Sequence, residues 1–430
     1  MHRKQFIQAS SILATTALFG RFQAFASTQQ QQQQQQLGVA VIGVNGMGWA
    51  DLQAVLKIPQ VHCVALCDVD ENVLNRRVAE LQQKGIAVAA YADHKDLLKD
   101  PNVDIVIIAT PDHWHCLQFV DAIKANKHVY MEKPIGNSIR ECERMLEVAE
   151  KSQMMVQVGQ WQRSQQHFAD AIDFVHSGRL GKIRSVKAWS YVDWKKTIAK
   201  VPDEAVPPGV DYERWLGPAK RRPFNRNRFH FEFRWFWDYA GGLMTDWGVH
   251  MLDYALLGMK VSTPNSVMAL GGKYADPDGA SETPDTLTTV YAFDDFSVVW
   301  EQAVGIGVGP FNRNHGVAFI GNKGTLVLNR DGWEVIPEKD QMAAVPLQRP
   351  KDNGLEKHME NFVAAIQKKD ARLLNAPIQA GAHIAIFSQM GNIAYRTGQK
   401  LDWDKQRNRF LQKEANGYLL APYHNGYRMT

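Results

Sequence analysis

Val39-Ala40-Val41-Ile42-Gly43-Val44-Asn45-Gly46-Met47-Gly48 is the stretch from which the fold is read. A short, continuous apolar run enters a glycine turn, and the turn opens a helix. Such a run fits a strand buried on both faces of a parallel sheet. Similar runs follow at Val61 to Leu66, Val103 to Ala109, Met154 to Val158 and, more weakly, His128 to Met131. Between them lie segments with helical spacing, such as Leu117, Val120, Ile123 and Cys142, Met145, Leu146, Val148. Strand alternating with helix predicts a doubly wound α/β domain over residues 37–157.

The turn itself resembles a GxGxxG phosphate-binding fingerprint in which Asn45 replaces the second glycine. Asn tolerates left-handed backbone better than most residues. The N-terminus of the following helix can bind phosphate. Asp68 ends the second strand, where a carboxylate can hydrogen-bond a ribose 2′-hydroxyl and would repel a 2′-phosphate. Gly43, Asn45, Gly46, Met47, Gly48 and Asp68 are therefore candidate dinucleotide ligands, with NAD favoured and NADP left open by Arg76 and Arg77. The plainer alternative is a tight strand-to-helix turn with Asp68 as a helix cap.

Beyond Gly159 the texture changes. Ile183 to Val192, Leu287 to Val299 and Val317 to Leu328 read as longer strands, with turns at Asp294-Asp295 and at Gly321 to Gly324. Helical patterns cover about 241–257, 355–368 and 376–397. The expectation is a second α/β domain, 158–400, with an open, largely antiparallel sheet, followed by a tail, 401–430. Eight of the twelve tryptophans fall between Trp161 and Trp300. Such rings suit pockets for amphipathic ligands, although a core or subunit interface uses them equally.

Residues 1–26 read as an export signal: Arg3-Lys4, a mostly apolar stretch from Ile7 to Phe19, and an A-x-A site at Ala24-Phe25-Ala26. The apolar part is too short to span a bilayer. Arg3-Lys4 resembles a twin-arginine signal with Lys in the second place, so both that route and general secretion stay open. Residues 27–36, ending in eight glutamines, form a linker. Periplasmic or secreted residence follows. Of the formal net charge of +4, Arg3, Lys4 and Arg21 supply most, so no basic patch for nucleic acid is indicated. Cys63, Cys67, Cys116 and Cys142 are scattered and show no disulfide or metal spacing.

Three further segments carry chemistry. They are Thr110-Pro111-Asp112-His113-Trp114-His115, Glu132-Lys133-Pro134, and Gly241 to His250. The first two lie at carboxyl ends of predicted strands, where such sheets bind ligands. In the third, Asp246 and His250 are spaced to share a helix face. Oxidising a secondary alcohol needs a hydride acceptor and a base. His250, with an unperturbed pKa of about 6.5, can take the hydroxyl proton. Asp246 can orient it or bond the substrate, and Lys133 can stabilise alkoxide character. His113 and His115 lack a third partner in register, so no metal is expected.

Together these segments resemble the Gfo/Idh/MocA oxidoreductases over roughly 37–405. The resemblance implies that Lys133 of E-K-P sits beside nicotinamide and substrate, through a peptide bond to Pro134 that is often cis. It implies that Asp246 and His250 form the family's D-x-x-x-H pair. It further implies that Thr110, Pro111, His115 and Glu132 shape the cofactor pocket, and that Gln160, Gln162 and Arg163 face the substrate. Gly178 to Ile183 resembles the turn into the second sheet. The expectation is an NAD(P)-dependent oxidoreductase acting on a ring hydroxyl of a sugar, glycoside or cyclitol, with C3 as the candidate position. Its cofactor would be tightly held, and the protein would be a homo-oligomer without a membrane-spanning segment. An NAD-dependent glycosidase and a non-catalytic sugar-binding protein are the alternatives.

Overall fold

The computed structural model describes residues 36–429. The expected export signal, and all of the expected linker before Gln36, lie outside the described residues.

The first sheet has six parallel strands in the order β3-β2-β1-β4-β5-β6. They are β1 (Leu37–Ile42), β2 (Val61–Cys67), β3 (Ala89–Tyr91), β4 (Ile105–Ile108), β5 (His128–Met131) and β6 (Val156–Val158). Five helices connect or flank them: α1 (Met47–Val55), α2 (Glu71–Gln83), α3 (His94–Leu97), α4 (Asp112–Lys124) and α5 (Ile139–Glu150). Every residue of β1 and of β4 is buried, as their unbroken apolar runs require. The strand order reverses between β1 and β4. The carboxyl ends of β1, β4 and β5 therefore open onto one crevice.

The second half begins with α6 (Gln166–His176), β7 (Ile183–Val192), α7 (Tyr212–Leu216), α8 (Gly242–Asp246) and α9 (Gly248–Met259). There follow β8 (Ser266–Gly272), β9 (Thr286–Ala292), β10 (Ser297–Val304), β11 (His315–Gly321), β12 (Gly324–Asn329), β13 (Gly332–Pro337) and β14 (Val345–Gln348). Next come α10 (Gly354–Lys368), α11 (Ile378–Thr397), β15 (Leu401–Asp404) and β16 (Arg409–Phe410). The strands make a ten-stranded sheet, β14-β13-β12-β11-β7-β10-β9-β8-β15-β16, in which only β7 and β10 pair in parallel. The stretch read as a tail thus contains β15, which pairs with β8. The long pattern at 287–299 resolves into the β9–β10 hairpin.

Two helices from the second half complete the first. Met359, Phe362, Val363 and Ile366 of α10 share a core with β1 and α1. Ile378, Ala382 and Ala385 of α11 enter the core of β4, β5 and α4, while Phe387, Met390 and Ile393 enter the core of the large sheet. Helix α11 is thus the wedge between the two sheets. Segment 193–240 crosses back to the nucleotide edge: Asp211 N donates to Val69 O at 2.9 Å and Glu71 N to Gly209 O at 2.8 Å. Its aromatic residues, including Tyr212, Trp215, Phe229 and Trp235, form their own cluster, of which Trp215 and Phe229 wall one side of the crevice.

Of the second-half tryptophans, Trp189, Trp235 and Trp300 are fully buried core residues. Trp161, Trp215 and Trp247 reach the cavity described next.

Candidate active site

A cavity of about 820 Å³ runs from the glycine turn to the start of α9. At one end Gly43, Asn45, Gly46 and Met47 line it. The left-handed residues of this turn are Gly43 (φ 85) and Gly46 (φ 50), not Asn45. Asn45 instead turns its Oδ1 onto Gly46 N at 3.1 Å. A Cβ on Gly48 would sit 2.0 Å from Gly43 O, so this glycine lets helix and turn touch. No side chain caps α1, which leaves its first N–H groups available to an anion.

Asp68 borders the same end. Its Oδ2 accepts from Val44 N and its Oδ1 from Asp70 N, both at 3.0 Å. Burial pushes its pKa up against the pull of these donors. Arg77 stacks on Trp49 and pairs with Glu80, and neither it nor Arg76 lines the cavity.

Thr110, Pro111 and His115 line the next section. The His115 ring bridges Pro134 O at 2.7 Å and Thr110 O at 2.8 Å, tying the β4 and β5 ends together. Burial pushes its pKa down to about 4, against the pull of these two carbonyls. His113 points elsewhere, onto Trp215 O at 3.0 Å. Among the described residues no His/Cys/Asp/Glu group is set to hold a metal.

At the far end the three catalytic candidates meet. The Lys133–Pro134 peptide is cis. Lys133 Nζ donates to Asp246 Oδ1 at 2.6 Å and to Asp246 O at 3.0 Å. Arg234 Nε lies 3.5 Å from the same Oδ1. Burial would raise the Asp246 pKa, but Lys133 and Arg234 outweigh it and hold it at about 2. The expected single helix is broken at Trp247: α8 ends at Asp246 and α9 begins at Gly248. Asp246 therefore serves Lys133 and not the imidazole. His250 lines the cavity with its Nδ1 unpartnered. Burial, then the Lys133 and Arg330 cations, push its pKa well below the ordinary value, so the ring is a neutral base.

Glu132 lies under this end, its Oε2 accepting from Lys133 N at 3.2 Å. Burial pushes its pKa up to about 7, and that of Asp112 up to about 8.

Gln160, Gln162 and Arg163 do not line the cavity, whereas Trp161 between them does. Arg163 is committed to a two-pronged pair with Asp253, at 2.7 and 2.6 Å. Gln160 is buried with both amide atoms unpartnered. Gln162 accepts from Arg330 Nη2 at 3.3 Å. Arg330, on the β12–β13 turn, lines the cavity and carried no signal in the sequence beyond a polar turn.

Glycine cradle, uncapped helix, Asp68 and a cavity of this size together fit a dinucleotide, and point to a nucleotide-binding protein. Comparison with known proteins agrees. Residues 37–160 match "Oxidoreductase family, NAD-binding Rossmann fold" and residues 170–429 match "Oxidoreductase family, C-terminal alpha/beta domain". The chain belongs to the Gfo/Idh/MocA oxidoreductase family. It is 28% identical over 176 residues to an inositol 2-dehydrogenase of Salmonella typhimurium, 40% of this chain and 50% of that protein. The chain thus spans about half the length of such relatives. A solved levoglucosan dehydrogenase, complexed with NADH and L-sorbose, superposes with a TM-score of 0.65 at 18% identity, covering 85% of this chain and 98% of that one. The aldose-aldose oxidoreductase of Caulobacter crescentus gives 0.64 at 20%, covering 86% and 100%. At these identities the structures speak for the fold.

Proposed function

We propose that the protein is an NAD-dependent oxidoreductase that interconverts a ring hydroxyl and ketone of a sugar, glycoside or cyclitol. The observation that carries this reading is the convergence of Lys133, Asp246 and His250 on the cavity that begins at the glycine turn. A bound nicotinamide dinucleotide would supply the hydride acceptor, held at the glycine turn and Asp68. Neutral His250 takes the hydroxyl proton. Lys133, fixed by Asp246, donates to the same oxygen and stabilises its developing negative charge. Asp246 remains a carboxylate at working pH and anchors Lys133 Nζ toward the cavity. In the reductive direction the same groups return the proton.

NAD is preferred to NADP because Asp68 borders the cavity while Arg76 and Arg77 do not. Tight retention of the cofactor, loaded before export to the periplasm or beyond, belongs to the same proposal. The contacts of segment 193–240 with the β2–α2 turn support it. Assembly into a homo-oligomer is a further part of the proposal, with the open sheet face, where Met268 and Leu270 are exposed, as its interface.

The test is to purify the protein, release and weigh any bound nucleotide, then supply glycosides and cyclitols with NAD+. Formation of NADH with a ketone product, two mass units lighter than the substrate, is expected. Absence of both bound nucleotide and turnover with added nucleotide would overturn the reading.

A further inference from the structure

Arg330 is the one cation lining the cavity that makes no ion pair among the described residues. Lys133 and Arg234 face Asp246, and Arg214 pairs with Asp211 and Asp93. The Arg330 guanidinium instead lies between two indoles, 4.8 Å from the Trp161 ring centroid and 4.6 Å from that of Trp247. Its one hydrogen bond goes to Gln162 Oε1 at 3.3 Å. Nε is buried without an acceptor, and Nη1 has none either.

Burying a cation without a counter-charge is costly, and indole faces recover only part of the loss. The cost is visible in the group itself: desolvation lowers the Arg330 pKa to about 10. Asp246, Tyr254 and Asp331 offset it only in part. Asp246 is already shared by Lys133 and Arg234, and burial keeps Asp112, with a pKa of about 8, mostly protonated at neutral pH. The substrate end of the cavity therefore carries surplus positive charge, with the guanidinium held between two indoles and its Nη1 left to donate. Such a donor suits the oxygen of a carboxylate or a sulfate.

The geometry points to an anionic sugar as the substrate, one whose ring bears a carboxylate or a sulfate ester that pairs with Arg330 while the carbinol faces His250 and Lys133. This rests on the oxidoreductase reading of the same cavity and narrows its substrate class. Arg330 acts here as a specificity-determining residue, and it takes no part in proton transfer.

The test uses matched pairs on the NADH-loaded full chain: methyl glucoside against methyl glucuronoside, and galactose against galactose 6-sulfate. Binding is followed by quenching of tryptophan emission, and kcat and KM are measured with NAD+. The anionic member of at least one pair should bind about 10-fold tighter or more, the margin that charge-assisted hydrogen bonds supply. Which pair responds identifies the anion. R330Q should erase that preference in KM while leaving nucleotide content unchanged, and R330K should keep part of it. If R330Q does not fold, R330K and the wild-type pairs decide. Equal affinity within both pairs, or a preference untouched by either variant, overturns the inference even if neutral sugars are oxidised. Tighter binding of the anionic sugar without hydride transfer would leave Arg330 as an anion-binding residue and sink the oxidoreductase reading instead.

Discussion

At the nucleotide end of the cavity the polar side chains are paired within the protein, and only the backbone N–H groups at the start of α1 are left open. Asp68 already accepts from two backbone donors, and the His115 ring bridges two carbonyls. At the substrate end His250 Nδ1 and Arg330 Nε have no partner. The first end is a rigid mould whose shape is finished before a ligand arrives. The second holds charge and hydrogen-bonding capacity that only a ligand can complete. Between them sits the Lys133–Asp246 pair, which the proposed function assigns to the chemistry and which is satisfied within the protein.

The largest expected effect cuts between the two ends. Lys133→Ala should lower kcat/KM by about 10²–10⁴-fold, the usual share of a positioned acid–base group, while bound nucleotide stays. Parallel loss of nucleotide would show that the two ends are not separable. The next contrast sets two arginines against each other. Arg163→Ala strands Asp253, whose side chain is only 2% exposed. It should cost about 3–5 kcal/mol in urea denaturation, the typical result of breaking a buried pair. Arg330→Met should cost far less or stabilise, because no carboxylate is left behind. Equal losses would make Arg330 a structural residue.

At the mould end, Asp68→Asn should weaken NAD binding by about 10-fold, as loss of a charge-assisted hydrogen bond predicts, and narrow the gap to NADP. An unchanged Kd ratio would remove Asp68 from the ribose site. The smallest effect concerns pH. Because burial, Lys133 and Arg330 disfavour the imidazolium, His250 stays a base well below pH 6.5, and kcat/KM should hold on the acid side of neutrality. Removing the Arg330 cation in R330Q lets the His250 pKa rise, so the acid limb should move to higher pH. A limb that moves the other way, or not at all, would separate Arg330 from His250.

The nucleotide end was legible in the sequence because its parts are local. A strand, a glycine turn and an acid at the next strand end form one continuous pattern. The apolar runs placed β1, β2, β4 and β5 to within a few residues. Strand β3, Ala89–Tyr91, is too short and too exposed to leave a periodic trace. Lys133, Asp246 and His250 were legible as motifs, but the break at Trp247, which gives Asp246 to Lys133, was not. Arg330 was invisible. It lies in the polar turn Asn329-Arg330-Asp331-Gly332, which in one dimension is indistinguishable from a solvent-facing loop. Its burial comes from Trp161 and Trp247, which arrive from distant segments. Arg163 failed in the opposite way: a polar residue in a promising linker is consumed by Asp253 on α9.

Helix α11 gives the assembly an order in time. The nucleotide half is closed by α10 and α11 and strapped by Tyr423, whose hydroxyl donates to Glu141 Oε1 across 282 positions of sequence. A chain emerging from the ribosome can form the six-stranded sheet early, but one flank stays uncovered until translation has passed Ile378. A stalled product ending before Gly354 should therefore bind hydrophobic dyes and chaperones, not nucleotide.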